Sequence, residues 1–155
     1  MSLLHGLRSR LLHGMARLRW RLLRPMTVGV RGILLDGNTV LLVRHHVDDR
    51  WYLPGGGVKA GETPEHGLRR EAREEAGAEV GPLSLFGVYS SFIEGKSDHV
   101  VVFLSRSVES RFRANAETAA AAFFPLDGLP ERASPGTRRR IRELAAGEWP
   151  CHGAW

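Results

Sequence analysis

The stretch REAREEAG at residues 70–77 concentrates acidic side chains that could bind a cation. If the stretch is helical, Glu71, Glu74 and Glu75 lie on adjacent turns, because residues three and four apart are neighbours on a helix. Three carboxylates held together repel one another, and a helix built only for stability would avoid them. A divalent cation removes that conflict, since carboxylate oxygens suit Mg²⁺ or Mn²⁺ beside substrate phosphates. The spacing therefore indicates a metal platform for phosphate chemistry.

The same letters also fit an ordinary solvated helix face. Arg70 can pair with Glu74 at the i, i+4 spacing, and exposed pairs of this kind are common and weak. The residues that come before the stretch favour the metal interpretation. A glycine-rich loop precedes the predicted helix, and Gly56 and Glu62 stand in or next to that loop.

From Gly56 to Ala78 the chain reads GGVKAGETPEHGLRREAREEAGA. This segment resembles the Nudix box, G-x5-E-x7-R-E-U-x-E-E-x-G-U with U apolar, and every fixed letter of the box matches. The flanking stretches WYLPGG and FFPLDGLP are similar to the usual entry and end of a Nudix domain. The resemblance covers roughly residues 26–147.

The resemblance implies an α/β fold in which a mixed β-sheet is sandwiched between helices. It also implies an enzyme that uses water and Mg²⁺ or Mn²⁺ to cleave the pyrophosphate bond of a nucleoside diphosphate linked to another moiety. The expected partner is a small nucleotide-type substrate, with no sequence-specific nucleic-acid binding. Two alternatives stay open: a nucleotide sensor with this fold and no catalysis, and a protein that acts at a membrane or a partner through its basic N-terminal segment.

The resemblance also assigns roles to the acidic residues. It implies that Glu71, Glu74 and Glu75 ligate the metal or its water, together with the backbone carbonyl of Gly55. Candidates for the general base are Glu71 and Glu74 within the box. Glu117, just before FFPL, lies where some relatives place a further carboxylate on a loop.

Other residues are expected to support the site or to contact the substrate. Arg70 is expected to pair with Glu62 and so hold the loop against the helix that carries the catalytic glutamates. The candidate substrate contacts share a position in or near the loops that would face the box: Arg44, Arg50, Trp51, Gly56 and Gly57.

The elements that must position these residues follow from the hydrophobic pattern. Strands are predicted at residues 27–35, 39–44, 83–92, 99–108 and 120–126, with turns at 36–38 and 94–98. Helices are predicted at residues 63–77 and 134–147, each with an N-cap residue at its start and a glycine at its end. This order argues for a mixed sheet covered by helices.

Charge and composition divide the chain further. Residues 1–25 contain six arginines and no acidic residue, which leaves the remaining chain close to neutral although the whole chain carries a net charge of +5. Leucines at helical spacing predict an extra basic amphipathic helix in this segment. The helix could dock on its own domain or a partner subunit, lie on a membrane surface, or be a removable targeting peptide. We therefore expect a leader at 1–25, a Nudix domain at 26–147 and a tail at 148–155.

The remaining properties exclude some classes of protein. No apolar run reaches the roughly 20 residues that a membrane-spanning helix needs. The single cysteine, Cys151, cannot form an internal disulfide, so a cytoplasmic protein is the default expectation. The sequence leaves the oligomeric state open.

Overall fold

The computed structural model describes residues 26–93 and 96–155, which contain eight strands and two helices. The strands are β1 (Met26–Asp36), β2 (Thr39–His45), β3 (Ala78–Val80), β4 (Ser84–Ser91), β5 (Ser97–Ser105), β6 (Val108–Ser110), β7 (Thr118–Pro125) and β8 (Cys151–Ala154). The helices are α1 (Pro64–Ala76) and α2 (Pro135–Ala146). The predicted helix in residues 1–25 lies outside the described residues. Neither α1 nor α2 has the length and the apolar composition that crossing a membrane requires.

Six strands form one mixed sheet in the order β7-β2-β1-β5-β4-β8. Strand β1 is parallel to β5, and β4 is parallel to β8, whereas the other neighbours are antiparallel. Strands β1 and β2 form the predicted hairpin, and Gly37 in its turn has a φ of +56°. The short strands β3 and β6 pair with each other in a second, two-stranded sheet.

Apolar residues on both faces of the central strands build two cores. On one face, Ile33 and Leu42 pack in the same buried cluster as Ile141 of α2. On the other face, Leu34 packs in a cluster with Leu68 of α1. Successive strand residues point to opposite faces, so a strand that is buried on both faces must be apolar almost throughout. The sheet therefore lies between the two helices, as the resemblance implied.

Both helices begin and end at the residues that the sequence predicted. The side chain of Thr63 accepts a hydrogen bond from the backbone N–H of His66, at 3.2 Å, and caps the start of α1. Ser134 caps α2 in the same way. Gly77 and Gly147 follow the two helices in the left-handed conformation, where glycine carries no Cβ penalty.

Three strands have no counterpart in the sequence prediction. Strands β3 and β6 are three residues long, which is too short for a periodic pattern to appear. Strand β8 falls in residues 148–155, which we had interpreted as a tail, yet it pairs with β4 along the edge of the main sheet. Its sequence, CHGA, is short and has little β propensity, so its strand conformation depends on contacts with β4. The sheet thus extends beyond the predicted end of the domain.

Candidate active site

The glycine loop at residues 55–57 precedes α1 in the chain and lies in space between β1 and α1. Gly55 has a φ of +142°, and a Cβ atom there would lie 2.0 Å from the carbonyl oxygen of Val30. The Gly55 N–H donates to Oε2 of Glu75 at 2.8 Å, and the Val30 N–H donates to the carbonyl of Gly56 at 2.8 Å. A side chain at position 55 would push the loop away from β1, so the close approach requires glycine.

A cavity of about 550 Å³ opens beside this loop. We call it the carboxylate cavity, because acidic side chains from α1 and from the loop before β7 share its walls with the glycines. The residues used below are Gly55, Gly56, Gly57, Glu71, Glu75, Glu117, Arg31 and His45. Five of the predicted metal-binding and substrate-binding positions therefore meet in one place, together with the predicted loop carboxylate.

Glu75 is the most buried carboxylate of the cavity, with a side chain only 4% exposed. Burial is the main reason why the pKa of Glu75 is raised to about 7, and the nearby charges of Glu71 and Glu117 contribute to the same shift. The Gly55 N–H and the charge of Arg31 act in the opposite direction but do not outweigh burial. A positive charge placed beside Glu75 would therefore stabilise the ionised form of its carboxyl group.

His45 and Glu117 complete a compact group around Glu75. Nε2 of His45 lies 3.3 Å from Oε1 of Glu75. Potential ligand atoms of all three residues lie within 4.8 Å of one another. Three elements that are distant in sequence, namely the end of β2, α1 and the loop before β7, thus converge on a volume the size of a metal coordination sphere.

Glu71 packs directly against the glycine loop. A Cβ atom at Gly56 would lie 2.6 Å from Cδ of the Glu71 carboxyl group. The absence of a side chain at position 56 therefore leaves the space that the Glu71 carboxylate occupies. This contact explains why a glycine is needed here although its φ is ordinary.

Arg70 joins the loop to α1 as the sequence predicted. Its Nε and Nη2 donate to the two oxygens of Glu62, at 2.9 and 3.0 Å, and Nη2 also donates to the carbonyl of Gly57 at 3.0 Å. Its Nη1 donates to Oε1 of Glu71 at 2.7 Å. The Arg70 guanidinium holds the pKa of Glu62 down at about 2, and the backbone N–H of Lys59 adds to this effect. The paired charges fix the loop and orient Glu71.

Glu74 lies apart from the other two box glutamates. Its side chain is 56% exposed, and Oε2 accepts a hydrogen bond from Nη1 of Arg70 at 3.3 Å. It does not line the carboxylate cavity within the described residues. The helical spacing brings Glu71 and Glu75 into the cavity, whereas the Glu74 side chain is largely exposed to solvent.

Arg31 is a site residue that we did not single out from the sequence. Nη1 of Arg31 donates to the carbonyls of Leu53 and Gly55, at 3.0 and 2.7 Å, so the carbonyl implied as a metal ligand already accepts a charged hydrogen bond. The signal for Arg31 was present, because it interrupts the apolar run of β1. A charged residue in a strand that is buried on both faces needs a specific partner.

The other predicted substrate contacts lie away from the carboxylate cavity. Arg44 places Cζ 5.7 Å from the ring centroid of Trp51, and Trp51 packs edge-on against Phe124 at 4.8 Å. Neither Arg44 nor Trp51 lines the carboxylate cavity in the part of the chain that the structure describes. Arg50 lines a different cavity, which also contains Arg31.

The donor set of the carboxylate cavity fits a hard divalent cation. Glu71, Glu75 and Glu117 supply carboxylate oxygens, which are the ligands that Mg²⁺ and Mn²⁺ prefer. The buried Glu75 carboxyl group has neighbours that disfavour its charge, and a cation would stabilise its ionised form. His45 adds a nitrogen donor, which Mn²⁺ accepts more readily than Mg²⁺ does. The residues present therefore match the metal chemistry that the sequence predicted.

Comparisons with known proteins identify the family of this chain. A NUDIX domain family model matches residues 25–144. An ADP-ribose pyrophosphatase from Methanocaldococcus jannaschii is 35% identical over 120 residues, which are 74% of this chain and 71% of that protein. An 8-oxo-dGDP phosphatase from Homo sapiens is 36% identical over 120 residues, which are 73% of this chain and 36% of that protein.

The fold has solved counterparts as well. The crystal structure of a MutT NUDIX hydrolase from Burkholderia pseudomallei superposes with a TM-score of 0.69 at 25% identity, covering 77% of this chain and 98% of that one. The family match and the two relatives confirm the prediction of an enzyme that hydrolyses pyrophosphate bonds. This chain belongs to the NUDIX domain family of hydrolases.

Proposed function

We propose that this chain is a divalent-metal-dependent pyrophosphohydrolase whose metal is held in the carboxylate cavity. The observation that carries the proposal is the convergence of Glu71, Glu75 and Glu117 beside the glycine loop. Bound Mg²⁺ or Mn²⁺ would neutralise the oxygens of the diphosphate and acidify a water molecule for attack at phosphorus. Without a cation, the clustered carboxylates would repel the diphosphate that they are meant to bind.

The metal ligands that we propose are Glu71, Glu75 and the carbonyl of Gly55, with Glu117 and His45 on the facing side. Arg31 already donates to that carbonyl, so ligation by Gly55 requires the Arg31 guanidinium to move or to share the oxygen. Glu74 is the remaining predicted ligand, and its exposed carboxylate would have to rotate away from Arg70 to reach the cavity.

The protein groups divide the remaining work. Arg70 holds Glu71 and the Gly57 carbonyl in place, which keeps the catalytic carboxylate oriented before the substrate arrives. The candidate proton acceptors for the attacking water are Glu71, Glu74 and Glu117, of which Glu71 and Glu117 line the cavity. The glycine loop lets phosphate oxygens approach the backbone without meeting side chains.

The substrate is a nucleoside diphosphate derivative. The two relatives described above are named for different bases, adenine in one and an oxidised guanine in the other. The identity of the base is therefore a separate question from the bond that is cleaved.

A substrate panel tests this proposal. The full chain is incubated with nucleoside triphosphates, nucleotide sugars, ADP-ribose and dinucleoside polyphosphates, with Mg²⁺, with Mn²⁺ or with a chelator, and the phosphorus products are resolved. We expect cleavage within the phosphate chain only when metal is present. Cleavage that persists in chelator, or no cleavage of any member of the panel, contradicts the proposal.

A further inference from the structure

A second cavity shares Arg31 with the carboxylate cavity. It has a volume of about 320 Å³, within the usual range for sites that bind small molecules. We call it the arginine cavity, and the residues used below are Arg31, Arg50, Tyr52, Arg139 and Trp155. Because Arg31 lines both cavities, one substrate can place its diphosphate beside the glutamates and its nucleoside in the arginine cavity.

Trp155 forms an aromatic wall of the arginine cavity. Its backbone N–H donates to the carbonyl of Ser90 at 3.0 Å, which continues the pairing of β8 with β4. A Cβ atom at Gly136 would lie 3.0 Å from the indole ring, so the ring rests on the first turn of α2. The indole also meets the ring of Tyr89 edge-on, with centroids 6.1 Å apart. The wall is thus fixed from two sides.

A buried polar cluster holds β8, and with it Trp155, against the domain. The hydroxyl of Tyr89 donates to Oε2 of Glu143 at 2.8 Å and lies 2.7 Å from Sγ of Cys151 on β8. Nη2 of Arg140 donates to Oε1 of Glu143 at 2.6 Å, and its Cζ lies 3.5 Å from the centroid of the Tyr89 ring. Residues of α2, β4 and β8 therefore form one unit beneath the indole.

The side chains that line the arginine cavity offer donors and few acceptors. Three of them are guanidinium groups, which donate hydrogen bonds and cannot accept them. The hydroxyl of Ser134 donates to Thr137, and the hydroxyl of Tyr52 donates to Asp48. Within residues 26–93 and 96–155, no carboxylate or amide side chain lines this cavity. A planar group that presents hydrogen-bond acceptors fits it better than one that must donate.

We propose that the arginine cavity binds the base of the substrate and selects a guanine-type base over adenine. Guanine presents O6 and N7 side by side, and a guanidinium can donate to both, whereas adenine presents an amino donor next to N7. That amino group would face the arginines without an acceptor. Trp155 supplies the flat surface on which the base stacks. This inference rests on the proposed function, because it takes the diphosphate to occupy the carboxylate cavity.

Two matched ligand pairs measure the preference. Hydrolysis of guanosine 5′-diphosphoribose and adenosine 5′-diphosphoribose is compared through kcat/KM, because these molecules differ only in the base. Binding of GMP and AMP to the full chain is compared by calorimetry, which needs no turnover. We expect the guanine member of each pair to be favoured by about tenfold or more, mainly through KM and Kd. GMP and AMP carry the same phosphate, so equal binding would assign the arginines to phosphate recognition and overturn the inference.

Variants on α2 and at Trp155 connect the preference to the cavity. Arg139→Met is expected to reduce the ratio of guanine to adenine affinity to about threefold or less. Arg142→Met removes the same charge from the exposed face of the same helix and should leave the ratio unchanged. Trp155→Ala should weaken both nucleotides about tenfold, and Trp155→Phe should restore most of that loss. If Trp155→Ala does not fold, the comparison of Arg139→Met with Arg142→Met decides.

The outcomes separate this inference from the proposed function. Metal-dependent cleavage of both diphosphoriboses with equal kcat/KM keeps the proposed function and overturns the base preference. If neither is cleaved in the presence of metal, the binding ratio of GMP to AMP still decides whether the cavity selects guanine. A ratio near one, or a ratio that Arg139→Met leaves intact, overturns the inference.

Discussion

The two cavities that meet at Arg31 have opposite chemistry. The carboxylate cavity gathers Glu71, Glu75 and Glu117 around a glycine loop, whereas three guanidinium groups line the arginine cavity. An acidic cavity binds a polyanionic substrate only with the help of a cation, whereas a basic cavity attracts anionic or acceptor-rich groups directly. The difference teaches that, apart from the shared Arg31, the two cavities use separate groups, so each can be changed by mutation without the other.

The strongest test of this separation is a change at Glu75. Glu75→Gln removes the charge from the most buried carboxylate of the carboxylate cavity and should lower kcat about 100-fold or more, because charge stabilisation in the transition state is lost. Binding of GMP, which occupies the arginine cavity, should stay within about twofold of wild type. Kinetics and calorimetry on the same preparation measure both.

Glu79→Gln is the matched control for that change. Glu79 pairs with Arg73 at the surface, and both side chains are well exposed, so its loss should leave kcat and stability nearly unchanged. Equal losses in Glu75→Gln and Glu79→Gln would show that negative charge on or beside α1 matters only in a general way.

Substitutions in the glycine loop distinguish losses of stability from losses of catalytic rate. Gly55→Ala places a Cβ atom 2.0 Å from a backbone carbonyl at a φ of +142° and should lower the free energy of unfolding by about 3 kcal/mol or more. Gly56→Ala meets only the end of the flexible Glu71 side chain, so it should displace that carboxylate and lower kcat with a smaller loss of stability.

Gly57→Ala completes the series, because a Cβ atom at Gly57 meets no atom within 4 Å. We expect the loss of stability, measured in urea titrations, to be largest for Gly55→Ala and smallest for Gly57→Ala. The loss of kcat relative to the loss of stability should be largest for Gly56→Ala. A series in which Gly57→Ala is the most damaging variant would contradict the contacts described for the loop.

Removing the ion pairs of α1 should have a smaller effect on catalysis. Arg70→Ala frees Glu71 and removes the contacts to Glu62 and to the Gly57 carbonyl, and we expect a loss of about 10- to 100-fold in kcat or metal affinity. Arg73→Ala, on the exposed side of the same helix, should change neither by more than about twofold. Neither variant should change the affinity of the arginine cavity for GMP. A loss of GMP affinity in Arg70→Ala alone would show that the two cavities are coupled.

The smallest expected effect is a pH dependence of stability from Glu62. The folded protein holds the pKa of Glu62 at about 2, below its usual value of 4.5, so the stabilisation is present above pH 4.5 and is lost as the pH falls toward 2. Glu62→Gln should therefore differ from wild type at neutral pH and approach it in acid. A difference between the two unfolding free energies that does not shrink below pH 4 would contradict this prediction.

The sequence predicted the carboxylate cavity far better than the arginine cavity. Residues of the box lie within one loop and one helix, so helical spacing and a glycine pattern suffice to bring Glu71 and Glu75 together. The same spacing could not tell that Glu74 is exposed, because that depends on which side of α1 faces the loop. Arg31 and Trp155 line the same cavity only because of the order of the strands in the sheet. Strand β8 is too short to show the periodic pattern from which it could have been predicted.

The central claim is that the carboxylates of α1 bind the metal on which hydrolysis depends. Its most direct test is a titration of the full chain with Mn²⁺, in which electron paramagnetic resonance counts the free ion, for wild type, Glu75→Gln and Glu79→Gln. The account predicts a site in wild type and in Glu79→Gln whose affinity falls about tenfold or more in Glu75→Gln, in parallel with kcat. Equal Mn²⁺ affinity in all three proteins, or full hydrolysis by metal-free protein, would contradict it.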